Sequence, residues 1–147
     1  MTNASLIKST SAASVTLEAA NALIEAVKTA AAEIGFEPSV AVTDAGGHLK
    51  AFQRTDATPF LAAEVALDKA WTSASFGYPT HVWNNYLADP KVAPLAQHPR
   101  LMAVGGGYPI LLDGKLIGGL GISGGSYEQD QQAAEAALKS LGFELPA

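Results

Sequence analysis

The chain of 147 residues has no cysteine, which excludes disulfides, thiolate metal sites and cysteine nucleophiles. Positive charge is scarce: 9 Lys and Arg stand against 14 Asp and Glu, a net charge of -5. No electrostatic footprint for nucleic acid or an anionic membrane is left. No apolar run approaches the roughly 18 residues that cross a bilayer. Met1 to Ser14 lack the apolar centre of a signal peptide, so the expected setting is the cytoplasm. What the chain does have is 48% hydrophobic residues with only 16% charged, the balance of a globular protein. Its length suits one domain with one core, spanning 1–147, with 1–15 read as a flexible or interface-bound N-terminal segment.

Leu17, Ala20, Ile24, Val27, Ala31 and Ile34 recur at steps of three and four behind a Thr16 cap, one apolar face of a helix that Gly35 ends. Ser39 to Thr43 and His48 to Gln53 read as two strands around the Asp44-Ala45-Gly46-Gly47 turn. Pro59 to about Phe76 is helical, and a short helix runs from Thr80 to Leu87. Asp89 to Pro99, with three prolines, reads as an ordered loop. Leu101 to Val104 reads as a short strand. Asp113-Gly114 joins strands Tyr108 to Leu112 and Lys115 to Ile122. Ser126 and Gln129 form a capping box for a last helix ending near Leu141. Short turns join the strands, so an α+β domain with a mainly antiparallel sheet is expected.

Gly119-Leu120-Gly121-Ile122-Ser123-Gly124 matches the G-x-G-x-x-G spacing of a dinucleotide loop. Its position argues against that use. Only one helix follows, and no second strand carries the acidic residue that holds the ribose. Neither NAD nor FAD is expected.

Arg54 and Asp56 follow the second strand, near His48 if the hairpin folds as read. Arg is the preferred fork for a carboxylate or phosphate, and Asp56 can orient it or act as a base. The alternative is a surface ion pair. Lys69 lies in an alanine-rich apolar stretch, either as an anion holder or shifted base or reaching out to solvent. His48, His81 and His98 show no metal-pair spacing, and no metal site is expected. His48, Arg54, Asp56 and Lys69 are the candidate catalytic residues. His48, His81, Gly105, Gly106, Gly107, Ser123 and Gly124 are the candidate cofactor-binding residues. The glycine runs can offer backbone amides to an anion, the second at a helix start, or can serve tight packing alone.

The stretch Val42-Thr43-Asp44-Ala45-Gly46-Gly47-His48-Leu49-Lys50-Ala51-Phe52-Gln53-Arg54-Thr55-Asp56-Ala57 resembles the hairpin of the GlcG/HbpS-like haem-binding family, which includes the C-terminal domain of PduO-type proteins. Ala66-Leu67-Asp68-Lys69-Ala70-Trp71-Thr72-Ser73-Ala74 looks like its second-helix motif. Gly105-Gly106-Gly107-Tyr108-Pro109-Ile110 and Ile117 to Asp130 look like its closing half. The resemblance covers Leu17 to Leu141. It implies a profilin-like three-layer α/β/α domain with a five-stranded antiparallel sheet, and homo-oligomers from dimers to octamers. It also implies a haem or small-molecule ligand and an accessory role in a catabolic or haem-related pathway. A haem site would draw its ligand from His48 or His81 and its propionate partners from Arg54 or Lys69. The alternative function is a cofactor-independent lyase, isomerase or hydrolytic enzyme acting on a small carboxylate or aromatic acid. Arg54 and Lys69 would then grip the substrate, with Asp56 or His48 as acid or base.

Overall fold

The computed structural model describes residues 3–146. Among them, four α-helices and four strands follow one another as α1 (Leu17–Ile34), β1 (Ser39–Asp44), β2 (Leu49–Arg54), α2 (Phe60–Phe76), α3 (Thr80–Tyr86), β3 (Gly107–Leu112), β4 (Lys115–Ser123) and α4 (Tyr127–Ser140). Thr16 caps α1, its hydroxyl accepting the Ala19 N–H at 3.1 Å, and Gly35 closes it in the left-handed conformation. The Ser126 and Gln129 side chains each accept the other's backbone N–H, completing the capping box of α4.

The sheet is antiparallel throughout, in the order β2-β1-β4-β3. Side chains alternate across it. Val40, Val42, Ile110, Leu120 and Ile122 join Leu23, Ile24, Val27 and Leu138 in the main core beneath α1 and α4. Ala41 meets Ala66 and Ala70 of α2 on the opposite face. One helix layer thus lies on each side of the sheet.

The strand count corrects the five-stranded expectation. The sheet has four strands, and a profilin-like arrangement is not indicated. Leu101 to Val104 is the segment that fails to pair. Its backbone groups go to side chains on the helices instead. Thr72 Oγ1 accepts the Met102 N–H at 2.9 Å and donates to the Arg100 carbonyl at 3.1 Å. Asn84 Nδ2 donates to the Ala103 carbonyl at 2.8 Å, and Thr80 Oγ1 donates to the Val104 carbonyl. With those partners supplied, the segment needs no strand ladder.

The G-x-G-x-x-G segment is a packing seam. Gly119 and Gly121 face α2, while Leu120 and Ile122 between them fill the opposite core. A Cβ at Gly121 would fall on the Ala66 carbonyl oxygen and lie 2.5 Å from the Ala70 nitrogen. A Cβ at Gly119 would fall on the Ala70 carbonyl oxygen. The missing side chains let the α2 backbone rest on β4.

Candidate ligand-binding site

Asp44 organises the turn between β1 and β2. Its Oδ1 accepts the Gly46 N–H at 2.9 Å and the His48 N–H at 3.0 Å, and lies 3.3 Å from His48 Nδ1. Burial would raise the Asp44 carboxyl, but the two amide hydrogen bonds and the His48 ring hold it below the usual carboxylate value. An ionised carboxylate only accepts, so a proton on Nδ1 would face Asp44 and leave the Nε2 lone pair free. The His48 side chain is 82% exposed.

His48 borders a groove of about 600 Å³, lined with Gly47, Leu49, Glu64, Leu67, Asp68 and Arg100. Arg100 is braced on two sides. Its Nε donates to Asp68 Oδ1 at 3.3 Å, and its guanidinium lies 4.8 Å from the centre of the Trp71 ring. His98 also stacks on Trp71, with centroids 5.3 Å apart. The proline-containing loop is thereby tied to α2. Gly47 abuts the same indole; a Cβ there would lie 3.1 Å from the ring.

Arg54 and Asp56 lie elsewhere. Arg54 ends β2, whereas His48 precedes its start. At about 3.3 Å per residue the two are separated by roughly 20 Å. Arg54 Nη1 donates to the Thr58 carbonyl at 2.8 Å. Arg54 and Asp56 share a separate cleft with Lys28 and Glu37. The structure therefore does not bring His48 together with either of them.

Lys69 is sealed inside the protein. Its ammonium donates to Asp130 Oδ2 at 3.0 Å and to the Ile122 carbonyl at 2.8 Å, and both side chains of the pair are 2% exposed. Asp130 Oδ1 accepts the Gly125 N–H at 3.1 Å. Burial pushes Lys69 down and Asp130 up, and each charge opposes the other's shift. Gly106 closes the pair in: a Cβ there would lie 2.7 Å from the Ile122 oxygen and 2.8 Å from Lys69 Nζ. The pair joins α2 to α4 around the end of β4, and Lys69 has no path to a ligand on the surface.

His81 lies on α3, its ring 5.7 Å from that of Tyr108. Among the described residues its buried Nδ1 has no hydrogen-bond partner. With Asn84, Asn85, Val104, Gly105, Tyr127 and Gln131 it lines a second cleft of about 420 Å³. Gly107 lies behind it, its N–H held by Thr80 Oγ1 at 2.8 Å. Ser123 and Gly124 are not among the lining residues; Gly124 turns the chain at φ 130° against the Glu37 carbonyl.

Sequence reasoning passed over Asp44, Arg100 and Asp130. Asp44 had a readable signal, an Asp that ends a strand before two glycines and suits an Asx turn. Arg100 and Asp130 act across 32 and 61 residues of chain, beyond any local spacing. Among the described residues no group of three or more His, Asp or Glu could hold a metal ion. No helix among them is long and apolar enough to cross a membrane.

A family model described as "Haem degrading protein HbpS-like" matches residues 15–139, and the chain belongs to that HbpS-like family. An uncharacterized 15.0 kDa protein from the dhaT-dhaS intergenic region of Citrobacter freundii is 36% identical over 134 residues, covering 89% of this chain and 94% of its own. Protein GlcG of Escherichia coli K12 is 35% identical over 104 residues, 71% of this chain and 77% of its own. A solved structure described as a PduOC:Heme complex superposes with a TM-score of 0.84 at 29% identity, covering 91% of this chain and 99% of that one.

Proposed function

We propose that this protein is a haem-associated accessory protein and that the His48 groove holds the haem. The observation that carries the reading is the Asp44–His48 pair at the mouth of the groove. A metal-binding imidazole ordinarily gives its other N–H to a carboxylate, which fixes the ring and raises its basicity. Asp44 stands 3.3 Å from Nδ1, and Nε2 would be left for iron.

The rest of the groove suits the group. Leu49 and Leu67 offer apolar surface. Arg100 uses one guanidinium nitrogen on Asp68, and its remaining donors would take a propionate. Glu64 at the same groove would repel carboxylates and leave Arg100 as the partner for the propionates. Bound haem would supply a redox-active iron; the protein's own part is to fix the imidazole and seat the ring. The PduOC:Heme relative supports haem as the ligand.

The reading includes self-association in the cytoplasm, from dimers up to octamers. Phe76, Tyr78 and Tyr86 are exposed and pack around Trp83, the first two edge-on and Tyr86 stacked; the buried Trp83 Nε1 lacks a partner among the described residues. A contiguous aromatic surface of this kind suits a subunit contact. Size-exclusion chromatography with light scattering tests it: the wild type should elute as an oligomer and Phe76→Ser/Tyr86→Ser as a smaller species. A monomeric wild type contradicts the assembly.

The ligand is tested by titrating the protein with hemin and following the Soret band. The expected result is a shift that saturates at one haem per chain and persists in His81→Ala. A titration with no saturable shift removes haem from the account.

A further inference from the structure

We infer that the His81 cleft is a second binding site, for a small carboxylate, separate from the His48 groove. The cleft is rich in donors and contains no carboxylate. Its lining side chains with polar groups are His81, Asn84, Asn85, Tyr127 and Gln131, and no Asp or Glu is among them. In a chain of net charge -5, a concave surface of about 420 Å³ without acidic groups is a selective feature for an anion.

The backbone adds to this. Val104 and Ala103 have their carbonyls tied to Thr80 and Asn84, which fixes the course of the chain into Gly105. Among the described residues neither the Gly105 nor the Gly106 N–H donates a hydrogen bond, although both residues are buried. Unpaired buried amides are rare, and successive ones commonly serve an anion. Gly105 lines the cleft, and a Cβ there would collide with the Gln131 side chain. The glycine leaves room for the Gln131 side chain at the cleft wall.

His81 supplies the third observation. Among the described residues its Nδ1 has no partner, while its ring lies 5.7 Å from the Tyr108 ring at a tilt of 50°. Tyr108 is itself anchored, its hydroxyl donating to Glu135 Oε1 at 2.5 Å. The imidazole is thus set in place by its neighbours without having its hydrogen-bonding capacity used. Asn84 is held differently, by its Nδ2 donating to the Ala103 carbonyl at 2.8 Å. A carboxylate would take the Gly105 amide on one oxygen and the Tyr127 or His81 side chain on the other. The volume lies in the range of small-molecule pockets and limits the acid to a compact one.

The test uses acetate, lactate and benzoate as probes, each beside its neutral amide, with amide-resolved NMR on the full chain. At least one acid should produce saturable shifts centred on the Gly105 and Gly106 amides, and its amide should bind at least tenfold more weakly. His81→Gln and, separately, Gln131→Ala should each weaken the acid about tenfold while leaving the remaining spectrum folded. Hemin binding should be unchanged in both variants, so the fate of this site is read independently of the haem site. Shifts that centre elsewhere, equal binding of acid and amide, or no saturation by any of the three acids would overturn the assignment.

Discussion

Breaking the Lys69–Asp130 pair should destabilise the protein far more than removing it whole. At 3.0 Å and an effective dielectric near 20, Coulomb attraction amounts to about 5–6 kcal/mol. Desolvation costs several kcal/mol for each ion and offsets most of this. The intact pair therefore contributes little net stability. Removal of one partner leaves the other buried and uncompensated, at a cost of about 3–5 kcal/mol. That is a large share of the roughly 5–15 kcal/mol that holds a domain folded. Lys69→Met, Asp130→Asn and the double variant form a cycle. The side-chain amide introduced by Asp130→Asn keeps an oxygen that can accept the Gly125 N–H, so the cycle isolates the charge pair. Urea unfolding should give losses of about 3 kcal/mol or more for each single variant and a double variant well short of their sum. The pH dependence has a defined sign. Asp130 is raised in the folded state, so the folded protein binds more protons than the unfolded chain from the ordinary carboxylate range up to that raised value. The wild type should gain stability relative to Asp130→Asn as pH falls through this window. Lys69 is lowered, so the wild type should gain relative to Lys69→Met as pH rises from that lowered value toward 10.5. Additive single losses, or losses under about 1 kcal/mol, would refute the reasoning.

Two further substitutions test the packing. Gly121→Ala places a methyl group on the backbone of α2, which cannot move as a side-chain tip would; thermal unfolding should shift down by roughly 6–12 °C for a loss near 3 kcal/mol. Thr43→Val replaces a buried hydroxyl that has no partner with a methyl of similar shape, so chemical denaturation should show a gain of about 1 kcal/mol.

The legible parts of the fold are those governed by neighbours in sequence. The Thr16 and Ser126 caps, the apolar period of α1 and the Asp113-Gly114 hairpin depend on residues within a few positions of one another. Leu101 to Val104 reads as a strand because its composition suits one. Its backbone is in fact satisfied by Thr72, Thr80 and Asn84, partners that no local window contains. The candidate site divides in the same way. His48 is visible in the sequence, and the capacity of Asp44 to organise its turn is written beside it. The expected cluster of His48 with Arg54 and Asp56 depends on distance along a strand, where six residues carry the chain to the far end. Lys69 stands out as a lysine in an apolar stretch. Its role becomes clear only with Asp130, which approaches it from the final helix.

His48 is the proposed iron ligand. Its most direct test is a hemin titration of His48→Ala, with and without free imidazole, beside the wild type. His48→Ala should lose the saturable Soret shift, and imidazole should restore it toward the wild-type spectrum. A His48→Ala protein that binds hemin with an unchanged spectrum and affinity would contradict the account.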